Sequence, residues 1–80
     1  MAARQATRRE RALAMVRKLH RDSEAVRGRR SLIVWFPVRI VVKRPADADV
    51  LAFAVARSWL ELSPGARTVR VTEAGSRMVA

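Results

Sequence analysis

Apolar and polar positions change period along this chain, and each change marks an element. Between Thr7 and Val26, the residues Ala12, Met15, Val16, Leu19, Ser23 and Val26 recur at three- and four-residue steps, which places them on one stripe of an α-helix. Thr7 with Glu10 three residues later reads as a capping box, and Gly28 is a natural stop. Ser31–Phe36 is apolar without alternation and rich in β-branched and aromatic residues, the pattern of a short strand buried on both faces and ended by Pro37. Val38–Arg44 admits two readings. Proline at a helix start favours a short helix with Arg39 and Lys43 on one exposed side and Val38, Val41 and Val42 inward. The β-branched run fits a strand equally well.

Beyond Pro45, Asp47 can cap a helix that begins at Ala48 and runs to about Arg57, with Asp49 in its first turn. Val50, Phe53, Ala54 and Arg57 share one side of that helix, while Ala48, Ala52 and Ala56 form a smooth strip on another. The period then becomes two: Leu60 and Leu62 precede Pro64-Gly65, and Val69 and Val71 follow it. This is a hairpin with one buried face. Pro64 and Gly65 suit the two central positions of a turn, although a two-residue hairpin loop prefers a primed turn, so a loop of about three to five residues is expected. Thr68, Arg70 and Thr72 fall on the opposite face, with Arg67 at the tip. Thr72 can cap a last short helix through Val79, with Met78 and Val79 closing the core. Gly75 inside it costs about 1 kcal/mol relative to alanine, which calls for a packing reason.

Eighty residues make one domain, with residues 1–6 expected as a flexible tail. A chain of this size buries only about 60–65% of its extended surface, so modest stability and self-association are expected. Charge adds the strongest compositional fact: 17 Lys+Arg against 7 Asp+Glu, a formal +10. Residues 1–30 hold ten basic residues against Glu10, Asp22 and Glu24. Such an excess calls for a polyanionic partner, nucleic acid first and an anionic membrane second. Every basic residue but Lys18 and Lys43 is arginine, whose fork suits phosphates and guanine edges, although a GC-rich genome also produces Arg- and Ala-rich proteins. The stretch Leu32–Val42 is interrupted by Pro37 and Arg39 and falls short of the roughly 20 residues of a membrane span. No secretory leader is expected, and the cytoplasm is the expected compartment.

Catalysis is not expected. The chain has one histidine and no cysteine, which removes thiolate metal sites and disulfides; it has no glycine-rich phosphate loop, and its carboxylates are scattered or stand where capping explains them. No cofactor or metal is expected. His20 reads as structural or exposed. Trp35 and Trp59 read as core or hairpin-packing residues, an interface role being the alternative.

The phrase Trp59-Leu60-Glu61-Leu62, the Pro-Gly loop and Val71-Thr72-Glu73-Ala74-Gly75 resemble the wing region of winged helix-turn-helix DNA-binding proteins. The resemblance covers about residues 31–79, with the N-terminal helix as the usual first helix. It implies an α+β winged helix-turn-helix fold: helix, short strand, two helices, two-stranded wing and short C-terminal helix. On it Val38–Arg44 is the first helix of the helix-turn-helix and Asp47–Arg57 the recognition helix. The implied DNA contacts are Arg39, Lys43, Arg44, Arg57, Ser58, Arg67, Thr68 and Arg70, with Ala48, Ala52 and Ala56 as a self-association strip. The recognition helix departs from the pattern, since it opens on two aspartates and offers base edges only Arg57 and Ser58. Weak base readout, phosphate-dominated affinity and steep salt dependence follow. Small basic proteins of this kind include excisionases, also called recombination directionality factors, and compact transcriptional regulators. The implied partners are double-stranded DNA, further copies of the chain side by side on it, and an integrase, at the nucleoid. The alternative is a protein-interaction module, such as an antiactivator or assembly subunit, docking through its apolar helix.

Overall fold

In a computed structural model that describes residues 6–27 and 33–80, the first stripe becomes helix α1, Arg8–Arg27. Thr7 caps it: the Glu10 N–H donates to Thr7 Oγ1 at 3.1 Å, and the Thr7 hydroxyl donates to the Glu10 carboxylate at 3.2 Å. Ala12, Val16 and Leu19 are buried, and Ser23 is buried too, its hydroxyl donating to the Leu19 carbonyl at 2.7 Å. Val26 stays exposed. A 20-residue helix is about 30 Å long and outruns the 12-residue helix it packs on. The stop at Gly28 and the tail over residues 1–6, Ala6 excepted, lie outside the described residues.

The remaining elements are β1 (Phe36–Pro37), α2 (Val38–Val41), α3 (Pro45–Ala56), β2 (Leu60–Leu62), β3 (Thr68–Val71) and α4 (Glu73–Val79). The strands form one antiparallel sheet in the order β1-β3-β2, with Phe36 opposite Val69 and Leu60, Glu61 and Leu62 opposite Val71, Arg70 and Val69. Among the described residues, four helices on such a sheet make a small α+β domain. Its core joins Ala12, Val16 and Leu19 of α1 to Val50, Leu51 and Ala54 of α3, and to Trp59, Leu60 and Val69.

Several boundaries differ from the sequence expectation, each for a local reason. The strand expected over Ser31–Phe36 begins at Phe36, residues 31 and 32 lying outside the described residues; Ile33 is 68% exposed and Trp35 39%. β1 is an edge strand whose one inner face is covered, so alternation turns Phe36 in and Trp35 out rather than burying both. Of Val38–Arg44 only Val38–Val41 is helical, a single turn, and the chain is extended again at Val42. α3 starts at Pro45, not Ala48. Pro45 lacks an N–H and takes the first helical position, so Asp47 stands in the first turn and its carboxylate reaches back instead of capping from outside. In α4, Met78 is exposed while Val79 packs on the core, because Val79 lies four residues after the inward-facing Gly75 and Met78 is rotated off that side.

The hairpin loop spans Ser63–Arg67. Ala66 N–H donates to the Ser63 carbonyl at 2.8 Å and Gly65 has φ +85°, so Pro64 and Gly65 occupy the centre of a type II turn. Thr72 ties three elements together: its hydroxyl accepts from Gly75 N–H at 3.0 Å at the start of α4, the same hydroxyl donates to the Ser58 carbonyl, and its N–H donates to the Trp59 carbonyl at 3.1 Å. Gly75 sits directly on that junction. A Cβ there would stand 2.1 Å from the Trp59 carbonyl oxygen and 2.9 Å from its carbon.

Helix propensity by itself expects Gly75→Ala to stabilise by about 1 kcal/mol. The contact with Trp59 backbone reverses the sign: a loss of about 2 kcal/mol is expected in urea unfolding, within the range of overpacked cores. Thr72→Val keeps the shape but removes the cap and the bond to Ser58, and should cost about 1–2 kcal/mol in the same measurement.

Candidate nucleic-acid interface

The hairpin tip is tied to the start of α2. Val38 N–H, an unpaired donor at a helix N-terminus, donates to the Arg67 carbonyl at 2.9 Å. Around that bond Pro37, Val38, Val42 and Ala66 form an apolar notch, and Arg39 and Arg67 line the same notch. Both guanidinium-bearing residues are exposed, and neither forms an ion pair among the described residues. Two cations flanking an apolar cleft at a protruding loop suit a sugar-phosphate backbone, where the charges meet phosphate oxygens and the cleft meets the sugar.

Arg39 and Lys43 were expected on one side of a helix, and the structure separates them. α2 ends at Val41, so Lys43 lies in the α2–α3 turn; with Arg44 it lines a second groove against α1, while Arg39 faces the hairpin. Both Lys43 and Arg44 are exposed. Their backbone N–H groups each donate to the Asp47 carboxylate at 3.1 Å, and the Asp47 N–H donates to the Arg44 carbonyl at 2.9 Å. The bonds from the Lys43 and Arg44 N–H groups, with the two cationic side chains adding to them, hold the Asp47 carboxyl below its ordinary value. That carboxylate fixes the turn that displays both cations.

Arg70 is differently placed. Its guanidinium donates to both oxygens of Glu61, directly opposite on β2, at 3.0 and 3.3 Å, and lies 5.7 Å from the Trp35 ring centroid. The outward row runs from Trp35, just before β1, through Arg70 of β3 to Glu61 of β2, and it neutralises the one arginine that β3 presents. Alternation showed that Arg70 points outward, but only the register brings Glu61 and Trp35 to it. Thr68 is also engaged, since its N–H and hydroxyl donate to Ser63 Oγ at 3.1 and 2.7 Å and brace the loop.

Arg57 caps the end of α3 with its guanidinium over the Phe53 ring at 4.9 Å, and Phe53 meets Trp59 edge-on at 6.1 Å. Ser58 follows in a left-handed conformation, φ +63°, with its carbonyl bonded to Thr72. Ala48, Ala52 and Ala56 are exposed along α3, and Asp49 beside them pairs with Arg8 of α1 at 2.9 Å. The pair is too exposed to contribute more than about 1 kcal/mol. Its consequence is electrostatic: one of the two aspartates on α3 is screened. Among the described residues no group of histidine and carboxylate side chains could hold a metal ion, and no helix is long and apolar enough to cross a membrane.

Because the folded value of Asp47 is depressed, its contribution to stability is full above the ordinary carboxylate value near 3.8 and is lost as the pH falls through the folded value. Asp47→Asn should therefore be less stable than the native chain at neutral pH, with the two curves converging in denaturant titrations as the pH falls through the folded value of Asp47. A gap that stayed constant with pH would show that the carboxylate's charge is not what holds the turn.

Comparison with protein-family models, with curated proteins and with solved structures finds no match to this chain.

Proposed function

We propose that this chain is a winged helix-turn-helix protein that binds double-stranded DNA with little sequence preference. In this reading α2, the turn at Val42–Arg44 and α3 are the helix-turn-helix, and the β2–β3 hairpin is the wing. The observation that carries it is the Val38 to Arg67 bond, which couples the hairpin tip to α2 and puts the unpaired Arg39 and Arg67 in one notch. The sheet order β1-β3-β2, with the α2–α3 pair preceding the hairpin, agrees with the same fold. Lys43 and Arg44 extend the positive surface through the turn.

Affinity in this reading comes from phosphate neutralisation and DNA shape. The exposed side of α3 offers alanine methyls and Asp49 where base-reading proteins offer Asn, Gln or Arg, so direct readout is confined to Arg57 and Ser58 at its end. Arg70 would have to exchange Glu61 for a phosphate and ranks behind Arg67. Copies set side by side through Ala48, Ala52 and Ala56 would add cooperativity along the duplex. By analogy of fold the role is that of an excisionase, with an integrase as its further partner, or of a compact transcriptional regulator at the nucleoid. The second reading, a protein-interaction module, is favoured by the nearly uncharged exposed strip on α3 and places the partner there.

Gel-shift titrations against salt, on duplexes of unrelated sequence, test the first reading. Binding should weaken steeply between low and moderate salt. Arg39→Ala and Arg67→Ala should each reduce affinity on every duplex and lower the log–log salt slope by about 1, with a smaller effect from Arg70→Ala. A folded double variant, Arg39→Ala with Arg67→Ala, that bound duplex as the native chain does would refute the wing assignment. On the second reading, salt-tolerant association survives those changes and is lost on Ala52→Glu.

A further inference from the structure

A larger groove, of about 630 Å³, runs between α1, α2 and the start of α3. Its floor is apolar: Met15, Leu19, Phe36, Val41 and Val50 line it, and Ile40, 57% exposed, stands at its edge. Its rim is cationic on both sides, with Arg11 and Lys18 from α1 and Lys43 and Arg44 from the α2–α3 turn. None of these four forms an ion pair among the described residues. The lining holds two carboxylates, Asp22 and Asp47, and Asp47 already accepts from two backbone N–H groups. An exposed isoleucine beside half-buried apolar side chains, fenced by unpaired cations, is a surface built for an amphipathic and acidic occupant.

The spacing of the rim selects among such occupants. Arg11 and Lys18 are seven residues apart on one helix, which separates them by about 10 Å along its axis. A small anion meets only one of them. An α-helix lying along α1 repeats at the same two-turn interval, so carboxylates seven residues apart on it face both cations while its apolar stripe enters the groove. We propose that this groove docks an acidic amphipathic helix of a partner protein, with Ile40 and the groove floor taking its apolar side chains and Arg11, Lys18, Lys43 and Arg44 taking its carboxylates. The proposal is independent of the DNA-binding reading. If both hold, the helix covers Lys43 and Arg44 and competes with duplex.

The test uses the full chain and a fluorescein-labelled peptide with leucines on one helical face and glutamates on both flanks, beside a scrambled isomer of identical composition. Fluorescence anisotropy at moderate salt should show the helical peptide binding at least about tenfold tighter than the scrambled one. Ile40→Ser and Lys18→Glu, both at exposed positions, should each weaken it at least about fivefold, with thermal melting showing that the variants fold. Equal binding of the two isomers would reduce the effect to bulk charge and overturn the proposal, as would full binding by both variants. If Lys18→Glu and Ile40→Ser weakened a DNA duplex as much as the peptide, the groove would belong to the nucleic-acid surface and the helix-docking proposal would fall. Loss of duplex binding in Arg39→Ala or Arg67→Ala, with peptide binding intact, keeps the two proposals separate.

Discussion

The fold depends on how closely α4 approaches the backbone between α3 and β2. Trp59 N–H donates to the Ala54 carbonyl as α3 ends, its carbonyl accepts from Thr72, and its side chain is buried against Phe53. Gly75 lies on the same carbonyl at a distance that no side chain tolerates. Ser58 enters this junction through a left-handed backbone, a conformation that a non-glycine residue adopts at a cost of order 1 kcal/mol. The hydroxyl of Thr72 offsets that cost by bonding the Ser58 carbonyl while capping α4. One threonine thereby ties together the end of α3, the start of β2 and the first turn of α4. The hairpin is aimed by the same joint.

Once the hairpin is aimed, the positive charge sorts into two classes. Arg8, Arg70 and Arg77 are paired with carboxylates, and Arg9 and Arg57 lie over aromatic rings. Arg39, Lys43, Arg44 and Arg67 are exposed without ion pairs among the described residues. A formal +10 on 80 residues costs the folded state through self-repulsion. These four cations stand on the α2–α3 turn, α2 and the hairpin tip, and Arg11 and Lys18 of α1 are likewise exposed without ion pairs among the described residues. The four are divided between two concave surfaces, the notch of Arg39 and Arg67 and the groove of Lys43 and Arg44.

The scaffold behind those cations adds specific polar bonds to its small core. Asp47 braces the α2–α3 turn, Ser63 and Thr68 brace the hairpin loop, and Ser76 meets His20 Nδ1 at 3.0 Å to join α4 to α1. In so small a domain each such bond is a sizeable fraction of the whole stability. Asp47 serves both ends, since the carboxylate that stabilises the turn also sets how Lys43 and Arg44 are displayed.

Much of this was legible in the residues themselves. The capping box of Thr7 and Glu10, the stripe of α1, the alternation about Pro64-Gly65 and the cap at Thr72 are local signals, because each depends on hydrogen bonds or periodicities spanning a few residues. The packing reason for Gly75 was legible as a need, and its cause was not, since the Trp59 carbonyl lies sixteen positions earlier. The exposure of Trp35 and the pairing of Arg70 with Glu61 were beyond reach for the same reason: both follow from strand order and register, which bring together residues from β1, β2 and β3. The sequence by itself determined the elements, their order and the sign of the surface. Only the tertiary structure decided which cations are spent on neighbours and which stand exposed without an ion pair, because that depends on distances between chain segments that no local pattern encodes.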